Sequence, residues 1–287
     1  EGAAVEATAY FTIDIPAIMG VMSALVLAFI LGIGISKVKD SSLLKVFEEF
    51  NSIVIMIVTN VLIPLVPIYI CCIFAKLSFS GEIFTTLKSF AIVYAVLFSL
   101  QAIYILIQYS IASVIKKENP FKLIKNMLPA YFTAMGTQSS AATIPVTLQC
   151  VKSNNVGEEI AEFVVPLGAT IHLAGDTITL VITSMAVMYM NGQVPTLSQV
   201  IPFIFMLGVT MIAAPGVPGG GVMAALGLLE TMFGFGSIEK PIMIALHAAQ
   251  DSFGTATNIT GDGAIAVIVD YLINKKDNES NVELESA

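Results

Sequence analysis

The sequence contains no arginine and no tryptophan, and all 13 of its basic residues are lysine. A guanidinium group holds a carboxylate through two parallel hydrogen bonds, and the ammonium group of lysine cannot reproduce that geometry. Only 12% of the 287 residues are charged, against about 25% in soluble domains. The chain therefore lacks the side chain that usually binds a carboxylate through two hydrogen bonds. It also lacks the surface charge of a water-soluble protein.

Cysteine is also scarce. Cys71 and Cys72 are adjacent within an apolar segment, and Cys150 stands alone. This number and spacing exclude a disulfide framework and a cysteine-based metal motif. We interpret the adjacent pair as small packing residues.

Long apolar runs fill most of the chain. The hydrophobic fraction is 56% and the mean hydropathy is +0.87. Residues 15–35, 53–74 and 90–115 are free of charge, and about 20 such residues in a helix cross the hydrocarbon core of a bilayer. The sequence therefore predicts an all-α polytopic protein whose partner is the lipid bilayer, with no nucleic-acid partner.

The lysines predict the topology. Ten of the 13 lysines lie in connections that the apolar runs place on one side of the membrane, and Lys76, Lys88 and Lys240 lie on the other. Lysine is enriched in cytoplasmic connections, so the side with ten lysines is expected to be cytoplasmic. We expect a multi-pass protein of the cell (inner) membrane, ending in a disordered polar tail, KKDNESNVELESA. Because the sequence begins with Glu1 rather than methionine, we also expect a processed, cut or partial chain.

Polar clusters interrupt the later apolar segments. They read GTQSSAATIP (136–145), GATIHLAGD (168–176), AAPGVPGGG (213–221) and GTATNITGD (254–262). Irregular backbone at membrane depth is tolerated only where protein buries it or a watery cavity lines it. Paired interrupted segments are typical of inverted-repeat transporters with a site near the midplane. We therefore predict a polar site formed in the order hairpin, broken helix, hairpin, broken helix.

The motifs GTQSSAATIPVT, PLGATI, GVPGGG and NITGD occur in an order and spacing that resemble the dicarboxylate/amino acid:cation symporter family. This family is also called the sodium:dicarboxylate symporter family and includes the glutamate transporter homologues. The resemblance covers residues 15–275, and QDSFGTATN and SSAATIPV are closest to the serine/threonine branch. It implies two re-entrant helical hairpins, two broken transmembrane helices, a homotrimer, and further helices before residue 15.

The resemblance also implies a division of the chain. Residues 1–80 would be scaffold and oligomerisation helices, and residues 81–287 a transport domain. The transport domain would contain a helix, a re-entrant hairpin at 119–152, a broken helix at 158–191, a second hairpin at 198–236, a second broken helix at 239–274 and the polar tail.

The family's site residues can be transferred by position. The substrate would lie between the two hairpin tips, with its α-ammonium on Asp251, its α-carboxylate near Asn258 and the tips, and its side chain facing Asp176. The implied substrate-binding residues are Ser139, Ser140, Asp176, Gly216, Val217, Asp251, Thr255 and Asn258. The implied ligands for sodium, or for protons as the coupling ion, are Gly168, Thr170, His172, Met211, Ile212, Ala214, Asn258 and Asp262.

The residues support this placement independently of the resemblance. A carboxylate at the centre of a bilayer costs at least about 2.5 kcal/mol when it is unpaired. Asp251 and Asp262 therefore need cationic partners, and the sequence places no lysine near them. The ligand and the coupling ion are the remaining candidates. Clusters of Ser, Thr and Gly can also serve only close helix packing.

Several positions depart from the family pattern. The family usually has Asn-Met-Asp-Gly-Thr where this chain has His172-Leu173-Ala174-Gly175-Asp176. Ala174 lacks the carboxylate associated with a further sodium site. Gly254 stands where transporters of acidic substrates have an arginine that grips the side-chain carboxylate. We therefore expect a small neutral substrate such as serine or threonine, with an acidic amino acid or dicarboxylate as the alternative.

Both histidines leave alternatives open. His172 could ligate sodium, carry a coupling proton, or hydrogen-bond a carbonyl, because its ordinary pKa lies close to neutral pH. His247 lies one helical turn before Asp251 and has the same alternatives.

Two other classes of protein are weighed against a symporter. An ion channel uses similar polar helices. An intramembrane aspartyl protease pairs two aspartates, but that family has Gly-x-Gly-Asp where this chain reads Leu-Ala-Gly-Asp and Ile-Thr-Gly-Asp. The resemblance therefore implies that the protein is no enzyme but a secondary active symporter that works by elevator-type alternating access.

Overall fold

The computed structural model describes residues 19, 21–39, 41–57, 60–61, 63–79, 83–214 and 218–286. These residues form helices and connections without a β-strand, which confirms the predicted all-α class. The helices are α1 Val21–Ser36, α2 Ser42–Ile57, α3 Ile63–Phe79, α4 Ile83–Lys116, α5 Pro120–Thr137, α6 Ser140–Ser153, α7 Glu158–Ile171, α8 Ala174–Met190, α9 Leu197–Ile212, α10 Gly220–Phe233 and α11 Glu239–Ser286.

Three segments among the described residues are long and apolar enough to cross a membrane: Lys88–Lys116, Glu158–Met190 and Glu239–Asn274. The predicted run 90–115 lies within the first of them, whereas the runs 15–35 and 53–74 fall partly outside the described residues. Large apolar side chains such as Phe29, Ile103 and Phe205 are at least half exposed. A surface so rich in exposed apolar side chains suits contact with lipid rather than water.

Three of the four predicted interruptions coincide with helix ends. Helix α5 ends at Thr137 and α6 begins at Ser140; between them Gln138 has a positive φ of 52°, and Ser139 caps α6 by accepting from the Ala142 amide at 3.3 Å. Helix α7 ends at Ile171 and α8 begins at Ala174. Helices α9 and α10 are separated by residues 213–219, of which 215–217 lie outside the described residues.

The fourth predicted interruption, and with it the second broken helix at 239–274, is wrong, because α11 continues unbroken through residues 254–262. The threonine hydroxyls in this segment donate to backbone carbonyls of the same helix: Thr257 donates to the Phe253 carbonyl and Thr260 to the Ala256 carbonyl. The glycines there allow close packing, since a Cβ added at Gly263 would lie 2.7 Å from the Tyr109 hydroxyl.

The C-terminal tail is also helical rather than disordered. Helix α11 extends to Ser286 and so includes the polar sequence that follows Asn274. The mixture of Lys, Asn, Glu and Ser contains no proline, and a helix already begun upstream adds each residue without a new nucleation step.

Helix α11 organises the packing, because it contacts α4, α5, α6, α7, α8 and α10. Its N-terminal part joins a core through Met243 and Leu246, and its later part joins a second core through Ile259 and Val267. The buried polar residues between these two cores are His247, Gln250, Asp251, Thr255, Thr257 and Asn258. The fold therefore places a polar layer along the middle of its central helix.

Candidate functional site

Three titratable side chains meet in the polar layer of α11. Asp176 lies in the first turn of α8, and His247 and Asp251 lie one turn apart on α11. The His247 Nε2 atom is 3.4 Å from an Asp176 oxygen and 3.4 Å from an Asp251 oxygen. His247 is fully buried, and the two aspartates are no more than 5% exposed. The structure thus places two acidic groups and one imidazole together, away from solvent.

Asn258 holds Asp176 in place. Its Nδ2 donates to an Asp176 carboxylate oxygen at 2.6 Å, and its Oδ1 accepts from the Gly175 amide at 2.7 Å. The first amides of a helix have no partner within that helix, so Asn258 satisfies one of them at the start of α8. The predicted substrate residues Asp176, Asp251 and Asn258 are therefore brought together by α8 and α11.

Glycines make this approach of α8 and α11 possible. A Cβ added at Gly175 would collide with the Gly254 carbonyl oxygen, and a Cβ added at Gly254 would lie 3.2 Å from an Asp176 oxygen. The backbones of the two helices are therefore in direct contact beside the site. Gly254 itself places no side chain against Asp176.

We expect Gly175→Ala to destabilise the protein by about 1–3 kcal/mol, because the new methyl group has no room against the Gly254 backbone. Gly208→Ala in α9 is the matched control, since a Cβ there would meet no atom within 4 Å and alanine favours a helix over glycine by about 1 kcal/mol. Thermal unfolding in detergent should show a lower midpoint for the first variant and an unchanged or higher midpoint for the second. Equal midpoints for Gly175→Ala and the wild type would contradict the contact.

Two connections between helices reach the same part of α11. The Gly219 amide donates to an Asp251 carboxylate oxygen at 2.8 Å, and Gln138 Nε2 donates to the Ser252 hydroxyl at 2.8 Å. Of the predicted tip residues, Ser140 is buried at the start of α6 and Ser139 caps it. Gly216 and Val217 lie outside the described residues. Thr255, also predicted, is buried on α11.

A second pair joins the half-buried His172, at the end of α7, to the fully buried Asp262 of α11. His172 Nδ1 is 2.8 Å from an Asp262 oxygen, and its Nε2 is 3.3 Å from the Tyr104 hydroxyl. The other Asp262 oxygen is buried and has no hydrogen-bond partner among the described residues. A Cβ added at Gly168 would collide with the Asp262 carboxylate. Gly168, His172 and Asp262 from the predicted ion site are therefore neighbours.

Other members of the predicted ion sites lie elsewhere. Asn258 is one turn from Asp262, but both ends of its amide are hydrogen-bonded to the start of α8. Thr170 is exposed on α7, and its hydroxyl donates to the Leu167 carbonyl. Met211 and Ile212 form the end of α9, and Ala214 follows it. These assignments stay predictions.

Helix α4 contributes residues that were not among the predicted site residues. The Gln101 side chain, 4% exposed, reaches Thr179 and Gln250, and Gln108 donates to the Tyr104 hydroxyl at 2.8 Å. A signal for them existed in the sequence: Gln101, Tyr104 and Gln108 recur at helical spacing within an uncharged run, which places them on one face of a helix.

Comparisons with a family model and with individual proteins all relate the chain to one family of transporters. A sequence model of the sodium:dicarboxylate symporter family matches residues 2–272. The chain is 29% identical to the neutral amino acid transporter A of Homo sapiens over 172 residues, which is 60% of the chain and 32% of that protein. It is 27% identical to an excitatory amino acid transporter of Caenorhabditis elegans over 270 residues, 93% of the chain and 53% of that protein. It is 30% identical to the excitatory amino acid transporter 1 of Homo sapiens over 171 residues, 59% of the chain and 31% of that protein.

The chain spans from about a third to about half of the length of these relatives. They are transporters and not enzymes, which confirms the prediction that the chain is no enzyme and disfavours the aspartyl protease alternative. The match over residues 2–272 confirms the resemblance read from the motifs.

Proposed function

The chain belongs to the sodium:dicarboxylate symporter family, and on that premise we propose that the protein is a secondary active symporter for a small neutral amino acid. Sodium entry, or proton entry, would drive uptake of a substrate such as serine or threonine. One observation supports this proposal above all: Asp176, Asp251 and Asn258 are buried close together. The α5–α6 connection at Gln138 and the α9–α10 connection at Gly219 both bond to α11 beside them.

Asp251 is the proposed partner of the substrate α-ammonium. One of its oxygens accepts from the Gly219 amide, and the other faces His247. A buried carboxylate without a cation is costly, and a substrate ammonium supplies one. The α-carboxylate would lie at the start of α6, where Ser139 and Ser140 stand and where a helix N-terminus favours an anion.

Asp176 and Gly254 together account for the proposed selectivity. At about 4 Å and an effective dielectric constant near 20, two like charges repel by about 4 kcal/mol. A substrate with a second carboxylate beside Asp176 would meet this repulsion, and Gly254 offers no cation to offset it. A serine or threonine hydroxyl can instead donate to Asp176.

The coupling ion is proposed to bind at Asp262. Its unpartnered oxygen and the adjacent Gly168 backbone offer the oxygen ligands that a hard cation takes. The His172 contact at 2.8 Å on the other oxygen provides a second route, in which a proton shared by His172 and Asp262 replaces sodium.

The larger mechanism is proposed on family grounds. Residues 1–80 would form the scaffold of a homotrimer in the cell (inner) membrane, and residues 81–287 would move as the transport domain in an elevator-type cycle. The pairs α5–α6 and α9–α10 would be re-entrant hairpins of an inverted repeat, and the second pair would open and close over Asp251.

The proposal is tested by uptake of labelled serine into proteoliposomes with a sodium gradient, a proton gradient, or neither. We expect accumulation with at least one gradient and none without. Downhill flux of ions that does not depend on the amino acid would favour the ion channel instead.

Selectivity gives a separate expected result. In competition against labelled serine, threonine should compete best, a basic amino acid less well, and aspartate or glutamate poorly. Asp176→Thr should improve competition by aspartate by at least about tenfold, since about 4 kcal/mol of repulsion is removed. Thr183→Ser, a small change of a buried hydroxyl two turns further along α8, is the matched control and should leave the order unchanged. Strong competition by aspartate in the wild type would overturn the selectivity while leaving the symporter proposal standing.

A further inference from the structure

The arrangement around His247 has the features of a metal site. The His247 Nε2 atom and one oxygen each of Asp176 and Asp251 lie within 4.8 Å of one another, and all three residues are buried. Neither ring nitrogen of His247 has a hydrogen-bond partner among the described residues, although the ring is fully buried and its Nε2 is directed at both carboxylates. An unpaired buried nitrogen is costly, and an ion between the two carboxylates would supply the missing partner of Nε2.

The distances fit a small tetrahedral ion. Zinc bonds to histidine nitrogen and carboxylate oxygen are about 2.0–2.2 Å long, so two ligand atoms of a tetrahedron are separated by about 3.3–3.6 Å. The two separations from His247 Nε2 are both 3.4 Å. The third separation, between the two carboxylate oxygens, is at most 4.8 Å, and an ion bound to all three atoms would set it to about 3.3–3.6 Å.

The remaining carboxylate oxygens are already held. The second oxygen of Asp176 accepts from Asn258 Nδ2, and the second oxygen of Asp251 accepts from the Gly219 amide. These bonds turn the free oxygen of each carboxylate toward His247. Hydrogen bonds of this kind orient metal ligands and support their affinity.

We propose that Asp176, His247 and Asp251 bind a divalent transition-metal ion of the zinc class. Two carboxylates carry two negative charges, which a dication neutralises and a single ammonium group does not. The imidazole nitrogen selects against magnesium and calcium, which prefer six or more oxygen ligands. Three protein ligands leave a fourth position open for water or another small ligand.

The site has a consequence for transport that rests on the proposed function. Asp251 and Asp176 are the proposed partners of the substrate ammonium and side chain, so a bound dication and the amino acid would compete for the same carboxylates. Zinc is therefore expected to inhibit uptake, and serine is expected to weaken metal binding.

The test uses the purified full-length protein without a polyhistidine tag, held in nanodiscs without amino acid. Co²⁺ is the probe, because a four-coordinate site gives intense visible absorption bands. We expect one Co²⁺ per chain, displaced by Zn²⁺ and not by Mg²⁺. His247→Gln and Asp176→Asn should each weaken Co²⁺ binding by at least about 100-fold, since loss even of outer partners costs 10–100-fold. His172→Gln, which alters the other histidine, is the matched control and should retain the affinity.

Absence of Co²⁺ binding to the wild type, or binding that persists in both His247→Gln and Asp176→Asn, would overturn the proposal. Size-exclusion profiles and helical circular dichroism show whether the variants fold. If they do not fold, competition between Co²⁺ and serine on the wild type decides the question, and serine without effect on the cobalt bands overturns the shared site. Uptake of serine without Co²⁺ binding would contradict only the metal-site proposal. Co²⁺ binding without uptake of serine would contradict only the proposed transport function.

Discussion

Asp262→Asn is expected to abolish gradient-driven uptake while leaving the fold intact. The side chain is fully buried, its size is preserved by asparagine, and its carboxylate is the nearest group to Gly168 among the described residues. Loss of a charged partner costs about 1.5–3 kcal/mol, which is roughly a tenfold to more than a hundredfold loss of affinity for the coupling ion. Uptake into proteoliposomes measured across a sodium series tests this directly.

Asp270→Asn is the matched control. Asp270 is also a buried aspartate of α11, but it accepts from the Gly157 amide and lies 3.9 Å from the Lys116 ammonium. The Asp270→Asn variant should retain the ion dependence of wild-type uptake. Uptake by Asp262→Asn with unchanged sodium affinity would contradict the proposal that Asp262 binds the coupling ion.

The same measurement separates the two coupling ions. If uptake follows a proton gradient and not a sodium gradient, the His172–Asp262 pair is the proposed carrier, and His172→Gln should then also lose coupling. If sodium drives uptake, His172→Gln should change sodium affinity less than Asp262→Asn, because the unpartnered oxygen of Asp262 remains.

Asp251→Ala is expected to weaken substrate binding strongly. The substitution removes the proposed partner of the α-ammonium in a buried pocket, at a cost of about 1.5–3 kcal/mol, or roughly tenfold to more than a hundredfold in affinity. Calorimetric titration of the purified protein with serine at saturating sodium measures the change. Unchanged affinity would show that Asp251 does not face the ligand.

Two further variants separate the charge of Asp251 from its contact with Gly219. Asp251→Asn can still accept from the Gly219 amide but has no charge, so it should bind as poorly as Asp251→Ala if the ammonium is the partner. Restored binding in Asp251→Asn would mean that the residue acts by positioning the α9–α10 connection. Ser252→Ala loses only the bond from Gln138 and should have a smaller effect.

Local composition predicted three interruptions correctly and one wrongly, and burial explains the difference. The segments 168–176 and 254–262 both contain glycine, threonine and a closing Gly-Asp. Residues 254–262 are all buried, whereas residues 170–174 are exposed or half-buried. Backbone groups that are buried among other helices are best satisfied within their own helix. This depends on the packing around each segment, which the local sequence does not contain.

The sequence also predicted only part of the site, because contacts between distant helices are not contained in local sequence. The aspartates stood out because charge is rare within an apolar chain, and the resemblance gave them roles. The contact of His172 with Asp262 joins residues 90 positions apart, and the meeting of His247 with Asp176 joins α11 with α8. The resemblance had placed His172 and Asp262 in one ion site, but neither pair has a periodic signal, and the contact of His247 with Asp176 is seen only in the folded arrangement of α8 and α11.

Under the proposed selectivity, the close approach of Gly254 to Asp176 limits how the substrate preference can change during evolution. A Cβ at position 254 would lie 3.2 Å from an Asp176 oxygen, so an arginine arising there would first meet Asp176 and not a substrate. Such an arginine would be neutralised within the protein, because a buried guanidinium pairs with the nearest carboxylate. A lineage leading to acidic substrates would therefore have to lose the carboxylate at 176 before an arginine at 254 became useful, and the two changes have a preferred order.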